Sequence, residues 1–149
     1  MRLVVQRVSR ARVTVEEEVV GAIGEGALIL LGIERGDGET EARRLAGKVV
    51  RYRFFPDERG RMNCSVIEAG GAVLVVSQVT LARMPRKGNR PSFDAAASPE
   101  DARRLCGVFV EAIRAEGVGE VAEGVFGAMM EVELVNSGPV TFVMEAEPA

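Results

Sequence analysis

The sequence predicts an α/β fold in which a mixed β-sheet or open barrel carries helices packed outside it, and three observations support this. β-type segments cluster at both ends of the 149-residue chain, two strongly apolar strands lie between them, and two amphipathic helical patterns separate the middle strands. No internal repeat and no linker interrupts the order, so residues 1–149 read as a single domain of roughly seven to nine strands and two main helices.

At the start, "RLVVQRV" (2–8) and "ARVTVEEEVVGAIG" (11–24) read as short β segments, the second a hairpin turning near Glu16 to Glu18. "GALILLGIE" (26–34) is a continuous apolar run bounded by glycines, as expected of a strand buried on both faces. After the loop "RGDGET", the stretch "EARRLAGKVVRYR" puts Ala42, Leu45, Ala46, Val49 and Val50 on one helical face and its arginines on the other. "FFPDERGRMNCSV" predicts a turn around Pro56 to Gly60 and a short strand from Met62. "GGAVLVVSQVTLA" (70–82) is the second strongly apolar strand, and a loop rich in proline, glycine and basic residues follows it. Ser98 as N-cap, Pro99 at the first helical position and Asp101 in the first turn mark a helix start. That helix turns Leu105, Val108, Phe109, Ala112 and Ile113 inward and stops near Gly117. Finally, Met130, Val132 and Leu134 alternate with Glu131 and Glu133, a half-buried β pattern expected to turn at Gly138-Pro139 and return.

Composition narrows the chemistry. With 47% hydrophobic and 28% charged residues the chain is ordinary globular protein, and a net charge of −3 makes it no overall basic nucleic-acid binder. No apolar run reaches the roughly 18 residues of a membrane span, and "MRLVVQRVSR" returns to arginine too soon for a signal peptide, so a cytoplasmic location is expected. Cys64 and Cys106 are too few for a disulfide framework and match no zinc-ligand spacing. The chain contains no histidine, which removes Ser-His-Asp and Cys-His activation and the usual transition-metal sites. Catalysis here must use hydroxyls, carboxylates, amides, backbone dipoles or the substrate itself.

Three stretches could carry chemistry. "SQVT" (77–80) sets Ser77, Gln78 and Thr80 at the end of an apolar strand, where a rigid scaffold holds polar groups beside an open loop; Ser and Thr also simply terminate strands. "ARMPRKGNRPSF" crowds Arg83, Arg86, Lys87 and Arg90 into one loop, enough to neutralise several phosphates, with Phe93 available to stack on a base or to pack inward. A solvated surface loop has the same composition. "VNSGPVTF" (135–142) is a turn signal with a proline where a ladder donor is normally wanted.

Taken together, "QRVSRARVTVE", "GGAVLVVSQVTLA", "KGNRPSF", "FGAMM" and "NSGPVTF", in this order over nearly the whole chain, resemble the D-aminoacyl-tRNA deacylase (D-tyrosyl-tRNA(Tyr) deacylase) family of the bacterial and eukaryotic type. The resemblance implies that family's fold, a homodimer, and hydrolysis of the ester of D-aminoacyl-tRNA to free D-amino acid and tRNA, with no cofactor, no metal and no DNA or membrane partner. It further implies a cis Gly138-Pro139 bond, with this pair testing chirality inside the partner's pocket of Ser77, Gln78 and Thr80. Phe126 would help hold the terminal adenosine, and the basic loop would contact the tRNA. The family usually has Phe at the position of Val79 and often Asp at that of Ser137. A filter that rejects the L-form by clash should admit glycine, which implies a side activity on glycyl-tRNA(Ala). Without histidine, the resemblance favours assistance by the tRNA 2′-hydroxyl, with backbone N–H groups near Gln78 to Thr80 polarising the ester carbonyl. Two other classes compete on the letters alone: a non-catalytic RNA-binding dimeric module, and a plain dimeric scaffold.

Overall fold

A computed structural model describes residues 1–83 and 88–147 of the chain. Its first strand, β1 (Arg2–Val15), unites the two opening β segments into one 14-residue strand. Glu16 and Glu17, at φ 49° and 68°, make the two-residue turn into β2 (Glu18–Ile23). A left-handed pair of this kind matches the twist of the strands it joins. The chain then runs on through β3 (Gly26–Gly32), so that one edge of β1 pairs with β2 along Ala11–Val15 and with β3 along Arg2–Val8.

Two helical crossovers follow, as parallel pairing requires. α1 (Glu39–Arg51) buries Ala42, Leu45, Ala46, Val49 and Val50, the face expected from the periodicity. A small hairpin, β4 (Phe55–Pro56) and β5 (Met62–Cys64), comes next. β6 (Ala72–Ser77) then lies parallel to β3. It is shorter than the apolar run suggests, because Val79–Leu81 leave the strand as a 3-10 turn. α2 (Pro99–Ala115) begins where Ser98 accepts a hydrogen bond from the Asp101 N–H at 3.2 Å, and ends before Gly117 at φ +106°. Its inward face is centred one position away from the expected one: Leu105, Phe109, Val110 and Ile113 are buried, while Val108 and Ala112 are only partly so. β7 (Val121–Glu123), which the letters did not single out, pairs parallel to β6.

The last strand corrects the reading most. β8 (Glu131–Glu145) does not reverse at Gly138-Pro139; it pairs antiparallel with β1 from Glu131 opposite Thr14 to Glu145 opposite Arg2. The turn residues form a bulge instead, since the ladder steps from Val8↔Asn136 to Gln6↔Thr141. β1 is long enough to template both halves of β8, and Pro139 cannot donate to the ladder, so the chain bows out and rejoins it.

The sheet buries both faces. Against the helices lie Leu3, Val5, Ile29, Leu31, Val73 and Val75. The alternate residues Leu28, Leu74 and Val76 face the other way and pack with Val8, Val13 and Ile23 inside the curled sheet. The curl closes where β2 meets β7: a Cβ on Gly21 would stand 2.5 Å from the Glu123 carbonyl oxygen, so only glycine fits there. Among the described residues, no helix is long and apolar enough to cross a membrane.

Candidate active site

The carboxyl ends of parallel strands are where open α/β sheets bind ligands, because the following loops diverge there. β3 and β6 end side by side, Leu31 opposite Ser77, and the Gln78 N–H donates to the Leu31 carbonyl at 2.8 Å, carrying the pairing one residue past the strand. The chain then tightens into the 3-10 turn, with Leu81 N–H donating to Gln78 O at 3.1 Å and Ala82 N–H to Val79 O at 3.1 Å. The turn packs over Gly32, where a Cβ would come within 2.7 Å of Leu81 Cβ. This bonding pattern leaves the Val79 and Thr80 N–H groups with no backbone acceptor among the described residues, as the first donors of a helical turn generally are.

A cavity of about 600 Å³ opens here, within the size range of small-ligand sites. Ser77, Gln78, Val79 and Thr80 form one wall. Phe126 and Met130 belong to another, and the first turns of α2 contribute Ala102 and Cys106. Phe126 reaches the cavity from a turn closed by Ala128 N–H to Val125 O at 3.2 Å, with Gly127 at φ +79°. The Arg103 guanidinium carbon sits 5.1 Å from the Phe126 ring centroid. Met129 is 91% exposed next to this wall.

The chemistry of the wall is defined by what it contains. Among the described residues it holds no carboxylate, lysine or arginine, and its only ionisable side chain is Cys106. Burial, and secondarily the Glu123 charge, push that thiol up to about 11, so it is neutral at physiological pH and is no thiolate nucleophile. The Thr80 hydroxyl accepts a hydrogen bond from the Gln78 side-chain amide, which cannot take a proton from it. Among the described residues no group of three or more His, Cys, Asp or Glu side chains stands ready to hold a metal ion.

Gly138 and Pro139 lie elsewhere. Their peptide bond is cis, both residues are exposed, and neither lines the cavity of their own chain. Side chains hold the bulge in place: Arg7 Nε donates to Ser137 O at 3.2 Å while its Nη1 donates to Phe54 O at 2.9 Å. Asn136 spans the gap in the ladder, its Oδ1 accepting from Val140 N–H at 3.1 Å and its Nδ2 donating to Thr141 Oγ1 at 2.9 Å. Gly138 sits at φ +127°, and a Cβ there would meet Val140 Cγ2 at 2.7 Å.

Of the basic loop, Arg83 is committed to Glu145 at 3.0 Å and Glu147 at 2.6 Å, and these bonds, that to Glu147 foremost, raise its pKa. Arg90 is exposed, and Phe93 is half-exposed. Arg86 and Lys87 lie outside the described residues. One chain therefore unites Ser77, Gln78, Thr80 and Phe126 in a single cavity and keeps Gly138 and Pro139 apart from it. Sequence reading did not find Arg7, Asn136 or Arg103. Asn136 alone had a local signal, since an Asn ahead of a turn commonly bonds its own backbone.

The family model for D-Tyr-tRNA(Tyr) deacylase matches residues 4–145, which takes in both the cavity and the bulge. The chain belongs to the D-Tyr-tRNA(Tyr) deacylase family. Curated deacylases of this kind include the D-aminoacyl-tRNA deacylase of Pelobacter propionicus, 54% identical over 97% of this chain and 99% of that protein. That of Roseiflexus sp. is 58% identical over 98% of this chain and 94% of its own length. Among solved structures, the c-Myc DNA Unwinding Element Binding Protein is 40% identical and superposes with a TM-score of 0.93 over 99% of each chain. A probable eukaryotic D-amino acid tRNA deacylase, 16% identical, shares the deacylase fold at a TM-score of 0.79 over 96% of this chain and 97% of that one. Membership makes the chain a hydrolase whose substrate class is aminoacyl-tRNA.

Proposed function

We propose that residues 1–149 form one chiral editing domain that hydrolyses D-aminoacyl-tRNA in the cavity at the ends of β3 and β6 while the L-ester is turned away. The observation that carries this reading is the composition of the cavity wall, which offers hydrogen-bond donors and apolar surface but, among the described residues, no side chain able to act as a base near neutral pH. In such a site the proton acceptor comes with the substrate. The 2′-hydroxyl of the terminal ribose, beside the ester, takes a proton from the attacking water as it passes its own to the departing 3′-oxygen while the acyl C–O bond breaks, and the Val79 and Thr80 N–H groups receive the developing oxyanion. Ser77 and Gln78 orient the acyl group, and Phe126 takes the base of the terminal nucleotide.

Selection by hand needs a wall close to Cα where only hydrogen fits. The Gly138-Pro139 bulge does not line the cavity of its own chain, and it is exposed and pinned by Arg7 and Asn136, as an insert for another copy should be. Two chains therefore pair, each placing its bulge in the other's cavity, so the site is complete only in the homodimer. Clash at Cα reads no side chain, so many D-residues pass, and glycine passes too, giving hydrolysis of glycyl-tRNA(Ala).

The test is deacylation of matched D-Tyr-tRNA and L-Tyr-tRNA by the purified protein in the presence of a chelator. Cleavage of the D-ester alone is expected. Cleavage of both removes the chiral filter. Cleavage of neither, with tRNA still bound, replaces the enzyme reading by the RNA-binding module.

A further inference from the structure

Arg103 lies in α2 between Ala102 and Cys106, both of which line the cavity, yet its own side chain is exposed and does not line it. Its guanidinium rests instead over the ring of Phe126, a half-buried residue of the cavity wall. The ring thus meets the cavity on one part of its surface and a cation on another, an arrangement favoured by the electron-rich aromatic face.

What sets Arg103 apart is its charge balance. Its neighbour Arg104 is paired with Glu39 at 3.3 Å and Asp101 at 3.7 Å, and Arg83, just past the 3-10 turn, is paired with Glu145 and Glu147. Among the described residues Arg103 has no carboxylate within ion-pair distance, and its guanidinium lies over the aromatic ring. An uncompensated guanidinium is therefore held at the rim of a cavity whose described wall carries no charge.

We infer that Arg103 is a substrate-binding residue that takes the phosphodiester on the 5′ side of the terminal nucleotide. The inference rests on the deacylase reading of the cavity. A nucleotide seated with its base on Phe126 and its ester toward Ser77 to Thr80 carries its 5′-phosphate away from the reacting end, toward the mouth through which the RNA strand leaves. An anion there needs a cation outside the wall, and a guanidinium fork matches two phosphate oxygens. Stacking on Phe126 already narrows the conformations of a long side chain, so less freedom is lost when the phosphate arrives.

The experiment compares wild type, R103Q and R103K on D-Tyr-tRNA and on D-tyrosyl-adenosine, which has the ester and the base but no phosphate. R103Q should raise KM for D-Tyr-tRNA about three- to tenfold with kcat nearly unchanged, and should flatten the dependence of log KM on log salt by about 0.7. Its effect on D-tyrosyl-adenosine should be several-fold smaller. R103K, which keeps the charge and loses the fork, should fall between wild type and R103Q. An unchanged KM and salt slope in R103Q overturns the inference, and so does an equal rise on both substrates, which would assign Arg103 to the ring alone. Affinity for uncharged tRNA separates this inference from the reading beneath it. If R103Q loses salt slope in binding while wild type cleaves no D-ester, the phosphate contact stands and the deacylase reading falls. If the binding slopes are equal while wild type cleaves the D-ester, the contact falls and the deacylase reading stands.

Discussion

Thr80 is the hydroxyl most open to a nucleophile's role, and its surroundings argue against that role. Its oxygen accepts from the Gln78 amide, and the described cavity wall offers no group to remove its proton. Thr80→Ala should therefore keep its single-turnover rate within about tenfold, since losing a true base or nucleophile typically costs a hundredfold or more. A larger loss with unchanged tRNA affinity would make the hydroxyl a participant. Cys106, also in the cavity lining, gives a pH test. With its thiol pushed up to about 11, burial foremost among the causes, the thiolate is the minor form at every pH below that value. Iodoacetamide labelling of Cys106 in the folded protein, mapped by mass spectrometry, should be slow at pH 8 and rise about tenfold per pH unit up to about pH 10. Fast labelling at pH 8 would contradict the burial argument. At Gly138 the backbone stands at φ +127° and an added Cβ would meet Val140, so Gly138→Ala must move the bulge. The D-to-L ratio of deacylation rates should fall in that variant, while tRNA affinity stays within about threefold because the proposed phosphate contact, Arg103, lies elsewhere.

At the scale of elements, the bulge depends on residues far from it in the chain. Arg7 alone ties Ser137 to Phe54, so Arg7→Ala leaves two carbonyls without their charged donor, a loss on the order of 1 kcal/mol for a half-exposed site. Chemical denaturation should show that modest loss, together with a larger loss of discrimination against L-Tyr-tRNA than of D-ester cleavage. Equal D-to-L ratios in wild type and variant would mean that Arg7 is only structural. The helices and the two buried strands were legible in the sequence because their signals are local: a 3.6-residue apolar stripe in α1, and Ser98 and Pro99 at the start of α2. The bulge was not legible in the same way. Asn-Ser-Gly-Pro satisfies the chemistry of a reversing turn, and whether the chain reverses depends on a partner strand long enough to pair on both sides of it. Local letters do not record the length of a partner more than a hundred residues away. The same limit hid Arg7, whose bond to Ser137 spans 130 positions, and Arg103, whose partner Phe126 sits beyond the end of its helix.

For the molecule as a whole, the site was legible in part. The cavity that joins Ser77, Gln78, Thr80 and Phe126 follows from parallel strands ending together, whereas the separation of Gly138 and Pro139 from it is visible only in three dimensions. If each cavity is completed by the other chain's bulge, two crippled proteins should rescue each other. Ser77→Trp fills the cavity from within, and Gly138→Val, bulkier than the Ala above, should drive a branched side chain from the bulge into the partner's cavity, so each homodimer should be inactive on D-Tyr-tRNA. Mixed by co-expression, random pairing leaves about a quarter of the sites with an intact cavity facing an intact bulge, and about a quarter of wild-type activity should return. No recovery in a verified heterodimer would place the whole site within one chain. The register of β8 carries one more consequence. Between Gln6 and Val8 the first strand has one residue, and between Thr141 and Asn136 the last strand has four, an excess of three. Deleting Ser137, Gly138 and Pro139 would set Val140 opposite Arg7 and leave the pairings on both sides as they are. The bulge proposed to meet the substrate is thus a three-residue insertion in a ladder whose one other irregularity is the shift between Val8 and Arg10, modular with respect to the barrel that carries it, and a lineage could gain or lose it without rebuilding the fold.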